Sequence, residues 1–536
     1  MPSSGHLALV LHAHLPFVRH PEHERFLEED WLYEAISECY VPLLDVFARL
    51  HADGIDHSLS IVLTPTLVSM LGDELLIARY LKHLDRLIDL ACRERQRTRS
   101  DPRFHRLAAM YLSRLLRTRR LFVDRHRCDL VGAFSSLAHA GRIELLTCAA
   151  THAYLPLLAP YPPAVRAQIH TAVDCHTRAI GLRPTGIWLP ECGYCPELEP
   201  ALLQAGIRYT FVDAHGLLLA RPRPEHGVFA PVMSPRGLVV FGRDLVSSRQ
   251  VWSAESGYPG HPVYREFYRD IGLDLDLDYI RPYVQATGQR KNTGIKYYRI
   301  TGPTHDKQPY LPEIASRQAA AHAVHFVSER IQLIEQIAAL MPSRPAFILS
   351  PFDAELFGHW WFEGPVFIEH VFREMARQPE TISPSTPGAF LSRRPVVQQV
   401  RLALSSWGKG GYSEMWLNDS NDWIYRHIHE ATERMITLAE THRRATGLLQ
   451  RALAQAAREI LLAQASDWAF IIKTNTSVEY AVRRIREHLD HFWLLAGAIE
   501  GQRIDPLVLA ELERSDNLFP EIDFRLFCQS APPRLG

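Results

Sequence analysis

Two carboxylates stand in stretches crowded with aromatic residues and glycine. The first is Glu191, in Ile187-Trp-Leu-Pro-Glu-Cys-Gly-Tyr194; the second is Asp353, in Ser350-Pro-Phe-Asp-Ala-Glu-Leu-Phe-Gly-His-Trp-Trp-Phe-Glu-Gly364. Each follows a short apolar run that suits a buried strand, so each is expected where a strand gives way to a loop. In α/β barrels that edge carries the chemistry. Two carboxylates there can cleave a sugar–sugar bond: one attacks the anomeric carbon, the other protonates the departing oxygen, and aromatic faces stack on the rings. A single acid after a strand is more often half of a buried network. Two in matching surroundings favour catalysis.

Other groups gather at the same predicted edge. His12-Ala-His14-Leu-Pro-Phe17 ends the first apolar run, and alternation puts both imidazoles on one face. They are placed either to hold zinc or to hydrogen-bond sugar hydroxyls or a catalytic carboxylate. No third and fourth ligand is evident, so we expect no metal and no cofactor. His152 closes the stretch that follows Gly141-Arg-Ile-Glu144, and is either a satisfied core histidine or a binding residue. Cys192 and Cys195 form a lone Cys-x-x-Cys without a second pair, which argues against a zinc or redox centre. In Ser406-Trp-Gly-Lys-Gly-Gly-Tyr412 the glycines free Trp407 to present its ring as a platform, and Trp416 follows closely. Ala465-Ser-Asp-Trp468 interrupts a helical pattern; Asp467 either caps a helix or reaches into the cleft from a second domain.

Seven apolar runs are expected to position these groups: Leu7–Leu11, Leu59–Leu63, Ile143–Thr147, Gly186–Leu189, Tyr209–Val212, Leu238–Phe241 and Ala346–Leu349. Continuous apolar runs with helical stretches between them suit parallel strands buried on both faces. They predict an α/β fold, an α/β barrel either complete or incomplete, over residues 1–395. Residues 78–130 read as a helix pair inserted into it, broken near Ser100-Asp-Pro102. Residues 215–312 are irregular and dense in Gly, Pro, Tyr and Arg, as in an active-site lid or binding wall. They include Phe241-Gly-Arg-Asp244, Gln250-Val-Trp252 and Tyr264-Arg-Glu-Phe-Tyr268, which suit recognition of hydroxyl-edged sugar chains or packing within the insert. Residues 396–536 are almost wholly helical and predict a C-terminal helical domain.

At 536 residues with a formal net charge of -1, the chain has no basic field for nucleic acid or an anionic membrane. The basic run Arg93–Arg99 fits a solvated hairpin tip. No signal-length or membrane-spanning apolar stretch is evident, which predicts a cytoplasmic protein with reduced thiols. No sequence feature points to a particular oligomeric state.

Taken together, His12-Ala-His14, Gly141-Arg-Ile-Glu144, Trp188-Leu-Pro-Glu191, Ser350-Pro-Phe-Asp353 through Glu363-Gly364 and Ala465-Ser-Asp-Trp468 resemble glycoside hydrolase family 57, most of all its 1,4-α-glucan branching members. The motifs run in family order across nearly the whole chain. The resemblance implies an incomplete (β/α)7 barrel with an inserted helical domain and a C-terminal helical domain. It implies a retaining mechanism on α-glucan, with Glu191 as nucleophile, Asp353 as general acid/base and no metal. It also implies glucan-binding positions at Arg265, Trp407, Trp416 and Asp467. Branching members are similar in carrying a tyrosine on a loop over the site. The matching stretch here, Gly216–Asp244, has none and offers Phe229, Met233 and Phe241 instead. An α-amylase-like hydrolase or 4-α-glucanotransferase on the same site is the near alternative. A metal-dependent sugar hydrolase or deacetylase built on His12 and His14 is the distant one, and a non-catalytic glucan-binding protein the third.

Overall fold

The computed structural model describes residues 4–253, 256–284, 289–341, 344–393 and 395–530. Its strands are β1 (Gly5–Ala13), β2 (Ser60–Leu63), β3 (Glu144–Leu146), β4 (Gly186–Ile187), β5 (Tyr209–Val212), β6 (Val232–Met233), β7 (Val239–Gly242), β8 (Ala346–Asp353), β9 (Ile382–Pro384) and β10 (Gln398–Gln399). Each of the seven apolar runs coincides at least in part with a strand. The last continues further than its apolar residues, because β8 pairs with β1 over its whole length, Ala346–Asp353 opposite Gly5–His12.

The strands form two ladders, one in the order β3-β2-β1-β8 with β9 beside β1, the other β10-β6-β7-β5-β4. β3, β2, β1 and β8 are mutually parallel, as are β7, β5 and β4. Single parallel bridges join the ladders, Thr147 to Ile187 between β3 and β4 and Arg243 to Leu349 between the end of β7 and β8. Backbone bonds reinforce the joins: Trp188 N–H donates to Thr147 O and Asp244 N–H to Leu349 O, both at 2.9 Å. Side chains alternate between two apolar layers, as the period of two requires. Ala8, Val10, Val62, Phe211, Phe241 and Leu349 share one packed cluster. Leu7, Leu9, Leu11, Ile61 and Leu63 join the other, which includes the surrounding helices.

The first long helix runs Glu74–Arg97, starting four residues before the predicted insertion because Asp73 caps it by accepting from Leu76 N at 3.0 Å. Its partner, Pro102–Arg120, is capped by Asp101 with Pro102 in the first turn, where a missing N–H costs nothing. The irregular stretch gains order from one buried carboxylate: Asp270 accepts from the backbone N–H groups of Gly272, Thr293 and Gly294 and from Thr293 Oγ1. After β10 the regular structure of the described residues is helical, with long helices at Asp422–Thr441, Gly447–Ala463 and Val478–Glu500. Among the described residues no helix is long and apolar enough to cross a membrane.

Candidate active site

Parallel register makes the first contact. His12 lies opposite Asp353 across β1 and β8, and its Nδ1 is 3.1 Å from Asp353 Oδ1. Burial holds the imidazole below its usual pKa despite Asp353. A neutral ring therefore donates Nδ1–H to the carboxylate. Trp188 stacks on that ring, centroids 4.9 Å apart at 16°.

Glu191 arrives from β4 through a short 3-10 turn and adopts φ 62°, ψ 21°. For a residue with a Cβ this left-handed geometry costs about 1–2 kcal/mol. Backbone bonds hold it there: Cys192 N to Leu189 O, Gly193 N to Pro190 O, and Trp407 N to Glu191 O at 3.0 Å. Its carboxylate is gripped on both oxygens by groups from beyond residue 400. Trp407 Nε1 donates to Oε2 at 2.8 Å and Ser466 Oγ to Oε1 at 3.3 Å. Burial pushes its pKa up to about 7; the Trp407 hydrogen bond opposes this, and the Asp467 and Asp353 charges add to it.

Behind Glu191 two more imidazoles stack, His14 on His152 at 3.8 Å and 12°. His14 Nε2 is 2.9 Å from Asp467 Oδ1 and its Nδ1 3.2 Å from Thr64 Oγ1. Burial pulls the His14 pKa down, but Asp467 outweighs it and the net direction is up. His152 is driven well below the usual imidazole range by burial and by the neighbouring His14 and His12. Neutral His152 thus donates Nδ1–H to Ser466 Oγ at 2.9 Å, and Ser466 donates onward to Glu191. Glu355 completes the shell: it accepts from His14 N at 3.1 Å and Tyr40 OH at 2.5 Å, and burial raises its pKa to about 7.

Glu191, Asp353, His12, His14, His152, Trp407 and Asp467 are therefore brought together. His12 and His152 are only 2% and 3% exposed and brace the carboxylates from within, His12 directly and His152 through Ser466. Asp467 is not a helix cap; it turns to His14. Trp407 does more than present a ring, since its N–H fixes Glu191. Two expected glucan-binding positions are not at the surface. Trp416 is 1% exposed, stacked on Tyr154 at 4.4 Å beneath the Trp407 loop. Gly408 exists for this packing: a Cβ there would meet the Trp416 ring at 2.7 Å. Arg265 is buried over the Phe362 ring at 3.9 Å, with Nη1 3.4 Å from Glu38 Oε1 and 3.5 Å from Tyr111 Oη.

The stretch Gly216–Asp244 is no loop over the site. Phe241 lies within β7, and Phe229 O accepts from Phe347 N at the opposite end of β8 from Asp353. Arg243, in the run read as either sugar recognition or packing, follows directly on β7, ion-pairs with Asp213 at 2.6 Å and lies 5.6 Å over the Trp407 ring. Trp252, 41% exposed, ends the helix Leu245–Trp252 and meets Trp407 edge-on at 6.4 Å.

Third ligands do lie near the paired histidines, contrary to expectation. The sets His14/His152/Asp467 and His12/Cys148/His152 each bring one donor atom per residue within 4.8 Å of one another. Imidazole lone pairs lie in the ring plane, and near-parallel stacking keeps the His14 and His152 lone pairs from converging on one ion. Both His14 nitrogens are also engaged by Thr64 and Asp467.

Sequence reasoning missed Ser466 and Glu355. Each lies one or two residues from an acid that was singled out, and that adjacency was the available signal.

Residues 8–398 match the model for glycosyl hydrolase family 57, and residues 427–527 match that for the 1,4-alpha-glucan branching enzyme C-terminal region. A 1,4-alpha-glucan branching enzyme of Thermococcus kodakarensis is 31% identical over 99% of this chain and 80% of its own length. The crystal structure of a branching enzyme from Pyrococcus horikoshii superposes with a TM-score of 0.88 at 31% identity, covering 99% of this chain and 98% of that one. That of an alpha-amylase from Thermotoga maritima superposes at 0.92 and 40% identity, covering 99% of this chain and all of the other. With the family model spanning most of its length, this chain belongs to glycosyl hydrolase family 57.

Proposed function

We propose that this protein is a retaining 1,4-α-glucan branching enzyme. The observation that carries the reading is the pairing of Glu191 with Asp353 at one edge of the parallel strands, each held by its own buried histidine system. Glu191 attacks the anomeric carbon of an internal α-1,4-linked glucose while Asp353, as the acid, protonates the departing O4. The cut chain remains as an ester on Glu191. Asp353, now a carboxylate, takes the proton from a 6-hydroxyl of an acceptor glucan, whose oxygen attacks the same carbon and frees Glu191. An α-1,4 bond is lost and an α-1,6 bond is formed, so no hydrolysis product need appear.

In this reading His12 positions Asp353, and His152 through Ser466 positions Glu191. The His14–Asp467 pair sets the local charge, and Trp407 with Trp252 lines the cleft. Trp416 and Arg265 support it from behind. The seven parallel strands β1–β5, β7 and β8 form an incomplete (β/α)7 barrel, a proposal supported by the two bridges that join the ladders. Residues 78–130 and 215–312 are its insertions, and 396–536 a C-terminal domain that completes the site. The branching names of the C-terminal model and the archaeal relatives support transfer. The 40% identity to a protein described as an alpha-amylase supports a second reading as a hydrolase.

A fluorosugar glycosyl donor that slows the second step should label one peptide, that containing Glu191. A label on any other carboxylate overturns the nucleophile. Amylose incubated with enzyme should develop the α-1,6 anomeric proton signal, and its absence overturns branching.

A further inference from the structure

Away from the candidate active site, the C-terminal helices enclose a second cluster of titratable groups. The helix Gly447–Ala463 supplies Glu459, and Val478–Glu500 supplies His488 and His491, one turn apart on the same face. Asp516 follows the helix Pro506–Ser515. Side-chain exposure is zero for Glu459 and His488, 3% for Asp516 and 32% for His491.

The donor atoms nearly form a tetrahedron. His488 Nδ1 is 2.8 Å from Glu459 Oε2 and 3.8 Å from Asp516 Oδ2; His491 Nδ1 is 3.6 and 3.9 Å from the same two oxygens. All four donors lie within 4.8 Å of one another. Metal–donor bonds of about 2.0–2.2 Å in tetrahedral geometry require donor–donor edges of roughly 3.3–3.6 Å. His491 Nδ1 is buried without a hydrogen-bond partner, too far from both oxygens to bond them yet near enough to share an ion with them.

The outer oxygens are already tied back. Gln455 Nε2 donates to Glu459 Oε1 at 2.6 Å, and Arg484 Nη2 to Asp516 Oδ1 at 3.4 Å. The other oxygen of each carboxylate is left facing the histidines, as outer-shell partners do in metal sites.

We propose that Glu459, His488, His491 and Asp516 form a structural site for a divalent transition-metal ion, zinc by its two-imidazole, two-carboxylate donor set. On binding, the ion displaces the proton shared by His488 Nδ1 and Glu459 Oε2: held by Glu459 it is released to solvent, held by Nδ1 it is exchanged for one on Nε2, so that His488 binds as a neutral imidazole. The ion cross-links the helices that carry Glu459, His488 and His491 to the chain at Asp516. None of the four residues belongs to the Glu191–Asp353 system.

The test uses the full-length chain, stripped by chelator and dialysed, then titrated with zinc chloride and followed calorimetrically and by metal content. One zinc per chain is expected, with a rise in melting temperature. His491→Ala, chosen because its side chain is the most exposed of the four, and Glu459→Gln are each expected to weaken binding at least tenfold and abolish the rise. Cobalt(II) in the wild-type chain is expected to give the intense visible bands of a tetrahedral site, a readout that survives if either variant misfolds. Failure of the stripped wild type to take up zinc overturns the site. So does a weak octahedral cobalt spectrum, or zinc uptake that both folded variants retain and His14→Ala removes.

Discussion

As the proposed nucleophile Glu191 must be ionised to attack, yet its own burial raises its pKa, and this conflict is expected to govern the site's response to pH. Glu191 sits at about 7 against an ordinary 4.5. A carboxylate whose pKa is raised on folding adds stability below the unfolded value, and loses it as pH rises through the folded one. Glu191→Gln is therefore expected to be more stable than the wild type at pH 8, by on the order of 1–3 kcal/mol in urea titrations. The gap should close as pH falls toward 4.5. The same variant is expected to lose at least about 10³-fold in turnover, because an amide cannot form the ester intermediate. Trp407→Phe keeps a ring in the cleft but removes the N–H that holds Oε2. The acid limb of its kcat/KM profile should move to higher pH, with activity at pH 6 lower by about tenfold. An unmoved limb would mean that this bond does not set the charge of Glu191. That Glu191 and Asp353 would stand where strands end, at one edge of the sheet, was legible from residue type and from the apolar runs before them. The relay from His152 through Ser466 to Glu191 was not, because it joins residues 314 and 275 positions apart.

Elements were legible where burial is complete. Strands packed on both faces are written as unbroken apolar runs, and all seven expected strands are present. Between strands the sequence was a weaker guide. Gly216–Asp244 has the glycines and prolines of a loop, but it contains β6 and β7 and runs back along the sheet. Its aromatic residues served packing, which composition does not distinguish from binding. The buried Trp416 misled for the same reason. The loop above it makes a separate prediction. Gly408→Ala forces a Cβ to 2.7 Å from the Trp416 ring, and displacing the loop shifts Trp407 off Glu191. We expect kcat to fall about tenfold or more with little change in melting temperature, since a misplacement of about 1 Å near a reacting centre can cost 10²-fold. Wild-type kcat in this variant would show that the loop position is not critical.

At the scale of the molecule, the candidate site is shared between the strand ends and the C-terminal helices. Ser466 and Asp467 open the helix Ser466–Thr474, and the bridge between Ala153 and Ala465 seats it on the strand edge. A chain ending at residue 395 would lack Trp407, Ser466 and Asp467 together. It is expected to lose turnover on amylose by at least about 10³-fold, and a truncated chain within tenfold of the full one would contradict a shared site. The helical character of this region was plain from its periodicity, but its part in the site rested on the single break at Ala465-Ser-Asp-Trp468. What separates branching from hydrolysis is also a property of the whole molecule: whether water or a glucan hydroxyl reaches the ester on Glu191 first. The most direct measurement counts reducing ends in amylose treated with the enzyme, before and after an α-1,6-specific debranching enzyme. A branching enzyme should leave reducing ends nearly constant at first and release many on debranching, with some hydrolysis alongside. A steady rise in reducing ends, with none released on debranching, would contradict it and leave the hydrolase.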